Sequence, residues 1–438
     1  MTDAQLFRAT LFHTTANPFR EEGVLRSHED GGLLVRGGRI VASGDFDEVR
    51  RADPDATIVD WRGGILLPGL VDTHVHYPQI AIVGRLGRTL LDWLEDVALP
   101  QEVRMADEPY ASECARRFVA ALAAHGTTTA LVFGAHFAAA TASLFEAATE
   151  TGLRIVSGLV LSDRFLPPAL VQSVERAYRD STELIRRFHG RGRLLYAVTP
   201  RFALSTSDAM LDMCQTLLRE HQELRVQSHI NESRDEVRMV AEQFRWAADY
   251  VSVYDRFGLT GSRAVLAHNV HPTDGELERL AGSGTAIAHC PTSNAALGSG
   301  IFPLRRHLKA GVHVALGTDV GGGTGPGMLK EGLQAYLMQR VAPEGVMLDA
   351  ARLLYLSTLA GAEALGLAHE IGSLCPGKSA DFVYLRPPAG SALDTVLQHA
   401  AAPEDVLAAL FTLGSAESVR EVRVEGTVVH KLHSAEGS

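Results

Sequence analysis

Cysteine is scarce in this chain. Four occur in 438 residues, Cys114, Cys214, Cys290 and Cys375, widely separated and with no C-x-x-C pair. That spacing excludes a disulfide framework and a cysteine-built zinc knuckle, and it fits a reduced, cytoplasmic compartment. Positive charge is in deficit as well: the formal net charge is -11 and no Lys/Arg block interrupts it. Neither a nucleic-acid partner nor an anionic membrane surface is therefore expected. No apolar run approaches the length of a membrane span, and the start, Met1-Thr-Asp-Ala-Gln-Leu-Phe-Arg8, lacks the charged-then-apolar layout of a signal peptide. Three motifs are also missing: H-E-x-x-H, a paired H-x-E and P-C-x-x-C, and a G-x-G-x-x-G opening a helix after the first strand. Gly321-Gly322-Gly323 lacks the Lys-Ser/Thr that would make it a phosphate loop, so it reads as a loop built for close approach.

What remains is ample material for one large core, with 46% hydrophobic and 21% charged residues. Length alone would suggest about three domains, but one β/α barrel with its insertions takes roughly 250 residues or more. From Ala9 to Val59 the runs are short and alternating, with Gly31-Gly32 and Gly37-Gly38 as expected turns. The same texture returns in Asp381-Phe-Val-Tyr-Leu385 and in Val419-Arg-Glu-Val-Arg-Val-Glu-Gly426, so both ends are expected to share a small β-sandwich. Between them strand and helix patterns alternate. A helix is expected over Glu102–His125, stopped by Gly126, followed by the β-branched run Thr127–Phe133. Further strands are expected at Leu153–Leu161, Arg193–Thr199, Leu224–Ile230, Ala264–His268, Thr285–His289 and Val312–Thr318. With the run Gly64–Asp72 these make eight, the count of a closed (β/α)8 barrel. The expected division is 1–66 and 372–438 for the β domain and 67–371 for the barrel.

Chemistry in such barrels sits at the carboxyl ends of the strands. Those ends carry His74 and His76, then Arg201-Phe202, His229, His268 and Asp319. His74 and His76 are one residue apart on a strand, which sends both imidazoles to one face, a geometry suited to a borderline-soft ion such as zinc. Two exposed strand histidines are the plain alternative for that pair alone. Four histidines and a carboxylate from separate strands on one rim argue against it. The segment Leu194–Phe202 has no lysine to bridge two metals, so one metal is expected. His289 beside Cys290 reads as a core residue, and His125 and His136 as loop histidines. Leu329, Leu333, Tyr336 and Leu337 read as ordinary core packing of a Met328–Arg340 helix.

Six segments give a more specific reading: Pro68-Gly-Leu-Val-Asp-Thr-His-Val-His-Tyr-Pro-Gln79, Gly126-Thr-Thr-Thr129, Thr199-Pro-Arg-Phe202, Gln227-Ser-His-Ile-Asn-Glu232, His289-Cys-Pro-Thr-Ser-Asn294 and Gly317-Thr-Asp-Val-Gly-Gly322. Together, over nearly the whole chain, they resemble the metal-dependent amidohydrolase superfamily and, more narrowly, the guanine deaminases. The resemblance implies one zinc per subunit, held by His74, His76, His229 and Asp319. It implies catalytic roles for Glu232, His268 and Asp319. Substrate contacts are implied for His76, Gln79, Arg201, Phe202, His229, Glu232 and Asp319. The implied substrate is the small molecule guanine, hydrolysed to xanthine and ammonia, and the implied assembly is a homodimer. Gly323-Thr-Gly-Pro-Gly-Met328 departs from the family pattern of a hydroxyl and an aromatic before the methionine. Asn269 stands where a small or thiol residue is familiar, and Ala295-Ala296 where side chains are bulkier. A deaminase or chlorohydrolase of another heterocycle (a pterin, 8-oxoguanine, cytosine or a triazine) is the rival within the class, and a barrel kept only as a scaffold is the rival outside it.

Overall fold

The computed structural model describes residues 4–432. Residues 1–3, where the segment read as leader-free begins, and 433–438, at the far end of the expected β domain, lie outside the described residues. In chain order the strands are β1 Gln5–Thr14, β2 Leu25–Arg36, β3 Arg39–Asp45, β4 Thr57–Pro68, β5 Leu70–His76, β6 Thr127–Phe133, β7 Arg154–Gly158, β8 Val160–Leu161, β9 Leu195–Pro200, β10 Arg225–Ile230, β11 Ala264–His268, β12 Ala286–His289, β13 His313–Leu316, β14 Phe382–Leu385, β15 Val419–Val424 and β16 Thr427–Lys431.

Both chain ends meet in one seven-stranded mixed sheet, ordered β16-β15-β14-β4-β1-β2-β3. The C-terminal β14 pairs antiparallel with β4, while β1 and β4 run parallel. Phe7, Trp61, Phe382 and Tyr384 join the two ends through ring contacts, with Trp61 and Tyr384 stacked at 4.2 Å. Arg193, just before β9, pairs with the buried Asp381 and so ties this sheet to the barrel. Gly37-Gly38 and Glu425-Gly426 do make hairpin turns, all four residues at positive φ. Gly31-Gly32 does not. It lies inside β2, where the register against β1 shifts between Ala9 and Leu11, so the glycines serve a bulge and not a turn.

The barrel strands run parallel in the order β5, β6, β7, β9, β10, β11, β12, β13, with β8 beside β9. β6 is buried at every position, as expected of a β-branched strand covered on both faces. The ring is joined where β13 meets β5: the Thr73 hydroxyl donates to the Leu316 carbonyl at 2.7 Å, and Asp319 N–H donates to the His74 carbonyl at 2.8 Å.

Three elements differ from their sequence expectation. The apolar run Gly64–Asp72 is two strands of two sheets, β4 and β5, divided at Gly69. A side chain there would sit 2.0 Å from Thr128 Oγ1, so only glycine lets the chain pass from sheet to barrel at this point. The third barrel strand breaks at Leu159, whose N–H donates to the Tyr196 hydroxyl in place of a strand neighbour. The helix expected over Glu102–His125 is two pieces, Leu99–Val103 and Glu108–Ala124, parted by a tight turn at Arg104–Ala106. Asp107 caps the second helix by accepting Tyr110 N–H at 2.9 Å, and Pro109 stands in its first turn, where a missing N–H costs nothing.

Two more helices, Ala392–Gln398 and Pro403–Leu413, fill the stretch between β14 and β15, within the part of the chain assigned to the β domain. The second sets Phe411 against Gly332 of the helix Met328–Val341. The buried face of that helix is accordingly Met328, Leu329, Glu331, Gly332, Ala335 and Gln339. Leu337, expected in the core, is 43% exposed because the docking face is rotated towards small residues.

His13 on β1 is buried, and its pKa is lowered from the ordinary 6.5 to about 4, chiefly by burial. A histidine depressed in the folded state favours folding above its unfolded pKa, and that stability is lost as pH falls from about 6.5 through about 4. The shift corresponds to roughly 3 kcal/mol at most. Replacing His13→Leu is expected to flatten this part of the acid limb, read as the midpoint of urea unfolding between pH 7 and 4.

Candidate active site

β5 delivers His74 and His76 to the rim, β10 delivers His229, and the turn after β13 delivers Asp319. All four are buried, and one ligand atom from each lies within 4.8 Å of the others. His76 Nε2 is 3.2 Å from His74 Nε2 and 3.2 Å from His229 Nε2. Asp319 Oδ1 is 3.1 Å from His74 Nε2 and 3.3 Å from His76 Nε2. Neighbouring ligands bonded at 2.0–2.1 Å to one first-row ion are about 3 Å apart, so this donor set fits a single metal ion.

The ring nitrogens are aimed by their surroundings. His229 Nδ1–H donates to the Arg201 carbonyl at 2.5 Å, which leaves Nε2 as the lone pair facing the centre. Asp72 is fully buried and accepts the N–H groups of His74 and Thr318, at 3.1 and 3.0 Å, and the Thr318 hydroxyl at 2.5 Å. One carboxyl therefore ties the backbone of His74 on β5 to that of Thr318, the residue before Asp319, after β13. Burial lowers His74 to about 4 and His229 well below its ordinary range, which keeps both imidazoles neutral, the form that ligates. Burial opposes ionisation of Asp319, but bonds from His74 and His76 outweigh it and hold the carboxyl well below its usual range.

Asp319 and His268 stand at φ +46° and +74°, the left-handed region that side chains avoid. Such strain is worth on the order of 1–3 kcal/mol each and persists where packing over-determines it. Here it turns both side chains inward. His268 Nε2 is 3.4 Å from Glu232 Oε2 and 3.8 Å from Asp319 Oδ2, while its Nδ1 meets the Asn294 amide oxygen at 3.0 Å. Glu232 accepts the Ser299 hydroxyl at 3.1 Å, and its own N–H donates to Glu236 at 2.9 Å. Burial, then the charges of Asp319 and Glu236, push Glu232 well above the usual carboxylate range, as suits a group that takes up and gives back a proton.

A narrow cavity opens on this cluster. Gln79, Arg201 and Phe202 line it together with His76, His229, Glu232, His268 and Asp319, so every residue singled out in the sequence converges here except His74, which lies behind as a ligand. Leu90, Trp93, Leu94 and Leu297 form an apolar wall that sequence reasoning missed. Gly321 passes tightly over Gln79, its N–H donating to Gln79 Oε1 at 3.1 Å, as the close-approach reading of this loop anticipated.

Glu102 was also missed. It is buried in the short helix Leu99–Val103 and accepts Gln79 Nε2 at 2.7 Å and Arg201 Nη2 at 2.8 Å. His136, expected in a loop without a task, is buried with Nδ1 3.3 Å from the other Glu102 oxygen. Pro100 and Pro109 bracket the short helix and are the only hint in the sequence that Glu102 leaves the long one. The remaining histidines keep their modest readings. His289 is buried and stacks on Phe302 at 4.2 Å, and His125 caps its own helix through Ala121 O.

Residues 65–429 match the amidohydrolase family. The chain belongs to that family and, within it, to the guanine deaminases. A protein of Deinococcus radiodurans described as a probable guanine deaminase is 55% identical over 97% of this chain and 98% of its own length. The solved structure of the E. coli guanine deaminase matches with a TM-score of 0.93 at 38% identity, covering 98% of this chain and all of that one. The C. acetobutylicum guanine deaminase, solved with guanine bound in its active site, matches with a TM-score of 0.89 at 25% identity over 98% of this chain and 100% of that one. Residues 31–56 also match an imidazolonepropionase-like composite domain of bacteria, a likeness confined to the terminal sheet and its first helix.

Behind Glu232, Tyr250 donates its hydroxyl to Glu236 at 2.7 Å and accepts Ala203 N–H at 3.3 Å. The change Tyr250→Phe leaves a buried carboxylate and a buried N–H each short of a partner. It is expected to destabilise the fold by about 1–3 kcal/mol, measured by urea unfolding of the metal-loaded protein.

Proposed function

We propose that the protein hydrolyses guanine to xanthine and ammonia at a single zinc ion held by His74, His76, His229 and Asp319. The observation that carries this reading is the meeting, in one buried cavity, of a one-metal donor set, the proton-carrying Glu232 and a recognition pair of Arg201 and Gln79. A zinc ion held by these residues would lower the pKa of a water towards neutrality and so supply a nucleophile at neutral pH.

The chain's own groups do the rest. Arg201 and Gln79 offer N–H donors to the acceptor edge of guanine, and Phe202 lies along the ring as a flat apolar wall. Glu232 takes a proton from the attacking water and gives it to the ring nitrogen beside C2, which makes that carbon electrophilic. His268, steadied by Asn294, and Asp319 orient the water for attack on C2. Glu232 then takes the remaining proton from the new C2 hydroxyl and hands it to the amino group, so that the C2–N bond breaks, ammonia leaves and the ring carbonyl of xanthine forms. Proton transfer of this kind contributes about 10²- to 10⁴-fold. Leu90, Trp93, Leu94 and Leu297 keep bulk water from the reacting face. The four unpaired cysteines, three of them buried, suit a reducing cytoplasm, and family membership supports a homodimer.

The reading is tested by metal analysis of the purified protein followed by the guanine-to-xanthine absorbance change. About one zinc per chain is expected, and guanine should be turned over far faster than a pterin, 8-oxoguanine, cytosine or a triazine, each assayed by ammonia release. Two tightly held metals per chain, or a better rate on one of the other heterocycles, would overturn it. Glu232→Gln is expected to keep its zinc and lose at least about 10²-fold in kcat, whereas His229→Ala should lose the metal itself.

Recognition has its own expected outcome. The O6 of guanine only accepts hydrogen bonds, and a guanidinium only donates. Arg201→Ala should keep zinc and lose about 10- to 100-fold or more in kcat/KM for guanine, the worth of one charge-assisted hydrogen bond. A variant that holds its metal and its guanine activity would remove Arg201 from this role.

A further inference from the structure

Gln79 and Arg201 are the polar groups placed to read the substrate's edge, yet neither is oriented by the substrate. Both are held by a third residue. One oxygen of Glu102 accepts Gln79 Nε2 at 2.7 Å and Arg201 Nη2 at 2.8 Å, and the other lies 3.3 Å from His136 Nδ1. Glu102 is 5% exposed. Burial opposes its ionisation, but the charge of Arg201 and the contact with His136 outweigh it and hold the carboxyl well below its usual range. The opposite end of the Gln79 amide is fixed as well, since Oε1 accepts Gly321 N–H at 3.1 Å.

These contacts decide which way an ambiguous group points. A glutamine amide has a donor end and an acceptor end and can be turned end for end, whereas an ionised carboxylate accepts only. With Glu102 ionised, the amide nitrogen of Gln79 must face it, and the remaining N–H of that nitrogen stays beside the Arg201 guanidinium. The carboxylate also offsets the guanidinium charge inside a nearly dry cavity. An unpaired cation there would favour an anionic ligand over a neutral purine.

We propose that Glu102 is the specificity-setting positioning residue of the cavity, clamping Gln79 and Arg201 into one donor-only array matched to the carbonyl-bearing edge of a 6-oxopurine. The inference rests on the guanine reading of the site. It adds that discrimination at the six-position depends on a residue that touches no substrate atom and belongs to no barrel strand. Guanine presents acceptors at O6 and N7, the pair that an arginine fork commonly reads. A 6-amino ring presents a donor in place of O6 and is refused by an array of donors. Once the carboxylate is gone, the Gly321 N–H makes, among the described residues, the one remaining hydrogen bond that orients the Gln79 amide, so the amide can turn and offer its oxygen, which accommodates the amino group.

The test compares guanine with 2,6-diaminopurine, which carries the same reacting amino group at C2 and differs along the edge in question. Wild type, Glu102→Gln and Glu102→Asp are assayed for kcat and KM on both rings, with zinc content and unfolding midpoint measured alongside. In Glu102→Gln, kcat/KM for guanine should fall by about 10- to 100-fold, mostly through KM, because the array binds ground state and transition state alike. The ratio of guanine to 2,6-diaminopurine should shrink at least about 10-fold, at unchanged zinc content. Glu102→Asp keeps the charge and should recover most of the ratio even where overall activity stays low. General loosening of the fold lowers both activities and leaves the ratio alone, so an unchanged ratio in zinc-loaded Glu102→Gln overturns the inference while the guanine reading stands. If Glu102→Gln does not fold, an Asp variant whose ratio falls as far as that of Arg201→Ala overturns it equally. A wild-type protein without activity on guanine fails the reading itself, and the inference with it.

Discussion

Four lone pairs pointed at one spot is the constraint around which this molecule is arranged. Three imidazole nitrogens and a carboxylate oxygen stand 3.1 to 3.3 Å from their neighbours in a buried cluster. Without a cation, lone pairs at that distance repel. The rim must therefore be stiff enough to hold the donors in place, and its stiffness can be traced to particular bonds. Asp72 joins the backbones of His74 and Thr318, Arg201 fixes the ring of His229, and His74 O receives Asp319 N–H. Each of these uses main-chain atoms of strands already locked in the barrel, so the site inherits the rigidity of the sheet.

Arg201 links this centre to substrate choice. Its carbonyl accepts the Nδ1–H of a metal ligand, and its guanidinium faces the cavity while paired to Glu102. The strand that ends at Pro200 therefore positions chemistry and recognition through a single residue, and Phe202 follows immediately on the cavity wall. In the proposed reading the metal end sets where C2 lies, and the donors of Gln79 and Arg201 read the edge.

How far the sequence disclosed this differs from element to element. β6 was legible over its full length because a parallel strand covered on both faces is a continuous β-branched run bounded by glycine. The convergence of His74, His76, His229, His268 and Asp319 was legible because a barrel puts its chemistry at strand ends, and ends can be found from periodicity. Gly69 was not, since the apolar pattern runs unbroken from β4 into β5 and the change of sheet depends on a contact with Thr128 that is distant in sequence. Gly31-Gly32 has the composition of a turn and the position of a bulge, which only the pairing with β1 distinguishes. Leu337 fits the helical period of its neighbours, but Gly332 lets Phe411 pack closely on another face. Glu102 and His136 escaped because their importance lies in facing Arg201, and no spacing encodes a partner 99 residues away.

The residues that escaped share a location, and that location has a consequence for how the cavity can vary. Leu90, Trp93, Leu94 and Glu102 all lie in the excursion between β5 and the helix Glu108–Ala124, and Leu297 lies just past β12. None of them supplies a ligand atom, and none is part of the hydrogen bonds that stiffen the rim. Changes there can alter the width of the cavity or the polarity of its far edge while the donor set stays as it is. Changes at Asp72, His229 or Asp319 cannot, because each is bonded to the backbone of a second strand. Barrels that share a metal centre can thus differ in the ring they accept through this excursion alone. In this chain it carries an acidic residue buried against an arginine, and that places the choice of edge with an ion pair and not with the strands that hold the metal.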